Sequence, residues 1–409
     1  MTHPDNASEC TDSISDESLP RGFRFSGTAC GLKASGKKDM SLLVADQPVV
    51  ASGVYTQNQI VAAPVLNCRS KTPSASIRAV VANSGNANAC TGQQGDQDAS
   101  EMCTILSEKL DCSPEQILVM STGVIGVHLN MSKVQEGIQD AFAMLDDSPE
   151  NFLMAADAIC TTDQSRKVAA RSIQSSNGTI RIAGMAKGAG MIAPNMATML
   201  SVIFTDAKLS PEQAQSMLKI ACDTSFNRIS VDGHTSTNDT VLLLASGACD
   251  VELDEPLAND FQQELNQLLR QLAKLIVLDG EGAKHIMAIE VVGAVNDDQA
   301  FEIAKTVAAS PLVKTAITGG DPNWGRIVSA AGYAHAKIDP TKTALTICGE
   351  TIYRDGTPVK FNAGELSGKM KSNREVSILL QVGLGEGKSN YWSSDLTTAY
   401  VEFNSEYTT

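Results

Sequence analysis

The stretch with the most unusual chemical make-up is Gly184-Met-Ala-Lys-Gly-Ala-Gly-Met-Ile-Ala-Pro-Asn-Met-Ala-Thr-Met-Leu200. Glycines, a proline and small side chains run directly into the apolar segment that begins at Thr198. The residues alone leave two readings open. In one, the stretch is a glycine-rich surface connection, and Thr198 is simply a β-branched residue opening a strand. In the other, glycine lets the backbone pack against a reacting group while the strand holds the threonine hydroxyl in place. A mid-chain threonine hydroxyl is essentially un-ionised and needs a neighbouring base. If the bond before it is cut, the freed α-amine, with a pKa of roughly 7.7 to 8.0, can take the hydroxyl proton itself. The same hydroxyl can make that cut by attacking the Ala197 carbonyl, giving an ester that water then hydrolyses. Ala197 is small enough to allow the approach.

Other routes to activation have little support. Only five histidines are present, none spaced as H-x-x-x-H, and the ten cysteines include no C-x-x-C pair, so a Cys/His metal site is not expected. A chain of 409 residues with 43% hydrophobic content fills its own core without disulfides, so the cysteines read as core thiols. The net charge of −15 opposes binding to phosphate backbones or anionic membranes. No apolar run reaches the length of a membrane-spanning helix, and the acidic, polar start is unlike a signal peptide; a soluble cytoplasmic enzyme acting on small molecules is expected.

The elements that must position this chemistry alternate between β-branched runs and amphipathic helices. Strands are expected at 77–81, 117–120, 179–183, 198–205 and 240–244. Ser210-Pro-Glu-Gln213 is a helix start with a capping serine and proline at the first helical position, and Ser-Pro-Glu recurs at Ser113 and Ser148. A long helix is expected over 257–277, ending at Asp279-Gly280. Beyond it come a strand at 287–295, a helix at 300–307, and late strands around 376–380 and around Tyr400 and Phe403. The composition of residues 1–21 suits a disordered N-terminal extension. A soft domain boundary falls near 284, separating 22–283 from 284–409.

The glycine-rich stretch resembles the self-cleavage motif of the ArgJ family, the glutamate/ornithine N-acetyltransferases. Further blocks resemble that family in order: Asn83-Ser-Gly-Asn-Ala-Asn-Ala-Cys-Thr-Gly92, Ser121-Thr-Gly-Val-Ile-Gly126, Thr161-Thr-Asp163, Ser225-Phe-Asn-Arg-Ile-Ser-Val-Asp-Gly233, Ser236-Thr-Asn-Asp239, Asp279-Gly-Glu-Gly-Ala283, Asp321-Pro-Asn-Trp-Gly-Arg326 and Tyr407-Thr-Thr409. They cover nearly everything after residue 21.

By this resemblance the fold is α/β, an αββα sandwich of the ArgJ/DmpA type with a smaller C-terminal α/β domain. Thr198 matches the nucleophile, Ala197-Thr198 the cleaved bond, and Thr122 with Gly123 the oxyanion hole. Thr161 (with Thr162 as the lesser candidate), Lys187, Thr198, Glu281, Asn404 and Thr409 match substrate contacts, so the C-terminus is expected to return to the site. His234 stands where the family usually has an acidic residue. Asp321-Pro-Asn-Trp-Gly-Arg326 reads as a structural loop or subunit contact, and Gly383-x-Gly385-x-Gly387 lacks the spacing of a dinucleotide fingerprint. Each matched residue also has a plain structural reading, such as a strand-end cap for Ser121-Thr-Gly123 or a solvated lysine for Lys187.

The reaction implied moves acetyl from N-acetyl-L-ornithine to L-glutamate by ping-pong, without metal or cofactor. Some members of the family also accept acetyl-CoA as a co-substrate. Cleavage would give α and β chains of 197 and 212 residues, assembled as an α2β2 heterotetramer. Two alternatives remain: a DmpA-type aminopeptidase, in which water resolves the acyl-enzyme, and an uncleaved protein that only binds.

Overall fold

The computed structural model describes residues 14–192 and 199–406. Ala197, Thr198 and Thr409 therefore lie outside the described residues, as do 1–13 of the expected N-terminal extension.

Strand β2 (Met40–Tyr55) organises the first half of the chain. Its beginning pairs antiparallel with β3 (Ser74–Asn86), Met40 facing Asn83 and Val44 facing Ala79; its end pairs with β9 (Thr240–Ala245), Val50 facing Ala245 and Tyr55 facing Thr240. The register breaks between Val44 and Val49, where one long strand passes from one set of partners to the other. Around it run β1 (Phe23–Thr28), β4 (Ile117–Val124), β5 (Lys167–Ser175), β6 (Gly178–Lys187) and β7 (Leu200–Thr205), in the order β4-β3-β2-β9-β7-β6-β5 with β1 beside β2.

Alternation along these strands sorts side chains into layers. Leu43, Val80 and Met120 from one half of the sheet share a core with Val168, Met185, Phe204 and Leu242 from the other half. The opposite faces carry helices. Leu42, Val81 and Val119 pack under α2 (Gly92–Leu110) and α3 (Met131–Ala143). Ile182, Ile203 and Leu243 pack under α5 (Pro211–Asp223) and α6 (Glu255–Leu278). The two halves of the sheet thus face each other between helical layers, which is the expected αββα sandwich. The remaining helices of this half, α1 (Ala63–Lys71) and α4 (Pro149–Ile159), contribute Cys68 and Phe152 to the inner core, where Phe152 meets the edge of Phe25 at 5.1 Å.

The second sheet has the order β13-β12-β11-β14-β10-β15-β8. It comprises β8 (Ile229–Ser230), β10 (Ile286–Ala294), β11 (Ala344–Ile347), β12 (Glu350–Arg354), β13 (Thr357–Pro358), β14 (Glu375–Gln381) and β15 (Gly387–Ser394). Helices α7 (Asp297–Ala309), α8 (Pro311–Gly319), α9 (Trp324–Gly332) and α10 (Ala363–Ser372) cover one face around Ile289, Ile303, Val313 and Ile378. On the other face Ile286 and Trp392 join the core beneath α6. Strand β8 lies in the chain between strands of the first sheet yet pairs with β15, so the two sheets are stitched directly together.

Three local expectations need correcting. The C-terminal alternation around Tyr400 and Phe403 reads as a strand, but 398–406 is helix α11 (Thr398–Glu406); the Thr397 hydroxyl accepts the Tyr400 N–H at 3.3 Å, which starts a helix. Ser113 opens only a 3-10 turn, Pro114–Gln116, because the β-branched run from Ile117 takes the chain into the sheet at once. Residues 14–21 are not a free extension: Leu19 is buried in the inner core and Ile14 packs beside it.

Helix α8 sends Lys314 into the seam between the sheets, where its ammonium donates to Val231 O at 2.7 Å and Ser393 Oγ at 3.2 Å. Burial lowers its pKa from 10.5 to about 8, against the pull of Asp232 and Asp395. The folded state therefore releases this proton before the unfolded state does, so its stability rises with pH between those two values. Urea denaturation should show the parent gaining on Lys314→Met as pH is raised from about 8 to about 10; a difference that stays flat would contradict this.

Candidate active site

The site begins where β4 and β6 end. Thr122 is held by the parallel pairing of β4 with β3, and Lys187 is the last residue of β6, facing Leu200 of β7. Lys187 is therefore a strand residue rather than a loop residue. Its side chain is buried, with 3% exposure, and Nζ donates to Thr122 Oγ1 at 3.3 Å. A buried lysine head group needs acceptors or countercharges; besides Thr122, its charge acts on Cys160, Asp163 and Asp239.

Gly123 follows with φ +134°, a conformation closed to residues with a Cβ. A Cβ there would strike the Gly85 carbonyl carbon and lie 2.5 Å from Asn86 N. Position 123 thus needs glycine twice over, for its dihedral and for the close approach of β3.

A second group assembles on the turn after α4 and the end of α6. Asp163 accepts the Thr161 N–H at 2.8 Å and the Gly188 N–H at 2.7 Å, tying the turn to the residue after Lys187. Lys167, fully buried, bridges Asp163 at 2.6 Å and Asp279 at 2.5 Å. Burial by itself would raise the Asp163 pKa, but Lys167 and Lys187 overrule it and hold this carboxyl well below the usual range. Burial does win at Asp279, whose pKa is raised despite Lys167. The Lys167 ammonium is itself held above its ordinary pKa, burial notwithstanding, by the two aspartates.

Asp279 leads into Glu281, whose N–H donates to Ala189 O at 2.9 Å. Glu281 Oε1 accepts the Thr162 hydroxyl at 2.7 Å, and Oε2 accepts the Asn404 amide at 3.0 Å. A Cβ on Gly190 would overlap this carboxylate, so glycine at 190 makes room for it. Helix α11, bearing Asn404, thereby packs its amide against Glu281.

Of the residues expected at the site, Thr122, Gly123 and Lys187 form one group, and Glu281 and Asn404 another, joined through the backbone of 187–190. Thr161 contributes its N–H to Asp163, while the hydroxyl that reaches Glu281 belongs to its neighbour Thr162. His234 is exposed, and its N–H donates to Asp232 Oδ1 at 3.1 Å.

Several buried charges at the site were not singled out from sequence: Asp163, Lys167 and Asp239. Asp163 and Asp239 lie inside matching blocks, and that was the available signal. Asp239 Oδ1 accepts the Met199 N–H at 3.0 Å, one residue past Thr198. Burial drives the Asp239 carboxyl well above the usual carboxylate range, although the Met199 N–H, Lys187 and Thr56 favour its ionised form. No group of His, Cys, Asp and Glu suited to a metal ion occurs among the described residues.

Burying so many charged groups around one strand end is costly even where they are paired, and such clusters concentrate at functional sites. Together with the αββα frame they define the class, an enzyme of layered α/β build. The family is fixed by likeness along the whole chain: the model of the ArgJ family matches residues 24–409, and the chain belongs to that family. It is similar to the arginine biosynthesis bifunctional protein ArgJ of Rhodopirellula baltica, with 54% identity over 402 residues, covering 97% of this chain and 98% of that protein. The protein of the same name from Nitratidesulfovibrio vulgaris is 41% identical over 389 residues, covering 95% of this chain and 98% of that protein. Among solved structures, that of arginine biosynthesis bifunctional protein argJ from Bacillus halodurans is 38% identical, with a TM-score of 0.49, covering 51% of this chain and 100% of that one.

Removing Lys167 would leave Asp163 and Asp279 without the ammonium that bridges them. Lys167→Met should cost about 3–5 kcal/mol of folding stability, read by urea denaturation at neutral pH. A loss below about 1 kcal/mol would mean that the two carboxylates do not depend on it.

Proposed function

We propose that the chain is an acetyltransferase of arginine biosynthesis that cuts itself before Thr198 and moves acetyl from N2-acetyl-L-ornithine to L-glutamate through an ester on Thr198. The observation that carries this reading is the Lys187–Thr122 contact beside Gly123. Because Thr122 Oγ1 accepts from the lysine, its own hydroxyl proton is free to point elsewhere. That proton and the Gly123 N–H are two donors suited to a developing oxyanion.

The Thr198 hydroxyl attacks the acetyl carbonyl and passes its proton to the α-amine of the same residue. Thr122 and Gly123 hold the oxyanion. As the tetrahedral intermediate collapses, the proton moves from the Thr198 amine to the departing amine of ornithine. Glutamate then attacks the acetyl ester by the same steps in reverse, leaving as N-acetylglutamate and restoring the hydroxyl.

Lys187 supplies positive charge for the substrate carboxylate, and Glu281, held by Thr162 and Asn404, receives amino groups. Thr161 and Thr409 complete the substrate contacts in this reading. The exchange invokes no metal or cofactor. The bifunctional naming of the relatives supports a second donor, acetyl-CoA, as co-substrate. No described helix is long and apolar enough to cross a membrane. We take the enzyme to work in the cytoplasm as α and β chains assembled into an α2β2 heterotetramer.

The purified protein should run as two bands on a denaturing gel, and Thr198→Ala as one uncut chain without transferase activity. With N-acetylornithine or acetyl-CoA as donor, acetyl should appear on glutamate; Thr122→Ala should lower kcat about 10²–10³-fold. Acetate released at equal rates with and without glutamate would make the protein a hydrolase instead. A single full-length band from an inactive parent would favour the uncut binding protein.

A further inference from the structure

The connection between β8 and β9 carries two aspartates, Asp232 and Asp239, that engage the chain on opposite sides of the proposed cleavage bond. Upstream, Asp232 Oδ2 accepts the Met191 N–H at 2.7 Å and Oδ1 accepts the Ile192 N–H at 2.9 Å. Met191 has φ +55°, a left-handed conformation that a methionine adopts at a cost of about 1 kcal/mol or more. That conformation lets consecutive amides reach a single carboxylate. Ile192 O is held in turn by the Val231 N–H at 2.6 Å and the Ser230 hydroxyl at 3.1 Å.

Downstream, Asp239 Oδ1 takes the Met199 N–H at 3.0 Å, and the Thr240 N–H donates to Met199 O at 3.1 Å. Asp239 is fully buried, and its Oδ2 has no hydrogen-bond partner among the described residues. One short connection therefore fixes the backbone before residue 193 and after residue 198. Neither aspartate is needed to close its own strand: β8 pairs with β15, and β9 with β2 and β7, through backbone groups.

We propose that Asp232 and Asp239 are positioning residues for self-cleavage before Thr198: their carboxyl oxygens hold the backbone at Met191–Ile192 and at Met199 in the register the cut requires. This rests on the processing reading above. In the step, the Thr198 Oγ–C bond forms and the amide C–N bond breaks, with the hydroxyl proton ending on the departing nitrogen. Water then hydrolyses the ester, leaving the Ala197 carboxylate and a free Thr198 amine. An attack across adjacent residues is sensitive to geometry, because small misplacements of reacting atoms cost orders of magnitude in rate. Asp239 accepts through one oxygen, so the amide oxygen of asparagine can take its place; Asp232 accepts through both, and asparagine there would turn a donor toward one of the two amides.

The test follows full-length chains through time by denaturing gel and intact mass, with unfolding midpoints measured on the same preparations. Asp239→Ala should slow the cut about tenfold or more, while Asp239→Asn stays within about threefold of the parent. Asp232→Ala should slow it likewise; if Asp239→Ala does not fold, the half-exposed Asp232→Ala variant decides. Cutting at the parent rate in the alanine variants overturns the proposal, and so does an Asp239→Asn variant as slow as Asp239→Ala. A parent that is never cut, or cut elsewhere, removes the processing reading itself, whereas a parent cut before Thr198 beside equally fast alanine variants removes the clamp alone.

Discussion

The buried ammonium of Lys167, held between Asp163 and Asp279, is the contact on which the site's geometry depends. It joins the turn that follows α4 to the end of α6, two elements brought together only by the fold. Through Asp163 it fixes the Gly188 amide, and with it the end of β6 where Lys187 sits. Through Asp279 it fixes the turn that presents Glu281. An interior ion pair contributes little net stability, since desolvation offsets most of its attraction. What it supplies here is a defined separation between a lysine meant for one part of the site and a glutamate meant for another.

The sheet provides the second constraint. Because β2 spans both halves, the end of β4 with Thr122 and Gly123 and the end of β6 with Lys187 converge at one edge of the inner core. Glycine at 123 is part of the same constraint: the β3 backbone occupies the place where any side chain would go. The hydroxyl of Thr122 is thus set by strand pairing rather than by side-chain packing, which suits a donor that must not move during a reaction.

Much of this was legible in the sequence, and the failures have physical causes. Strands with β-branched runs, such as those at 117–124 and 240–245, and the long stripe of α6 announced themselves because periodicity reports burial. Chain-end segments did not. Tyr400 and Phe403 read as part of a strand, but they stand three residues apart, the spacing of one helix face, and a hydroxyl cap started a helix. Lys187 looked like a solvated loop residue because nothing in composition signals that its neighbours are buried acids. Thr161 and Thr162 are indistinguishable by type, and only the turn at Asp163 decides which hydroxyl faces Glu281. Asp239 escaped notice for the same reason: its role depends on an amide forty residues away in sequence. The matching family blocks pointed to these residues, whereas the partner of each charge emerged only in three dimensions.

The pairing of β6 with β7, from Ile182 facing Thr205 to Lys187 facing Leu200, has one more consequence. A cut at 197–198 would place these neighbouring strands in different polypeptides, turning the middle of a sheet into a subunit interface with no loop left to close it. Mass action would then govern reassembly. The uncut precursor folds at a rate independent of concentration, but the mature protein, once its chains have parted, must find its own other half in solution. Covalent continuity would serve the molecule only once, as a built-in chaperone for a sheet that outlives it.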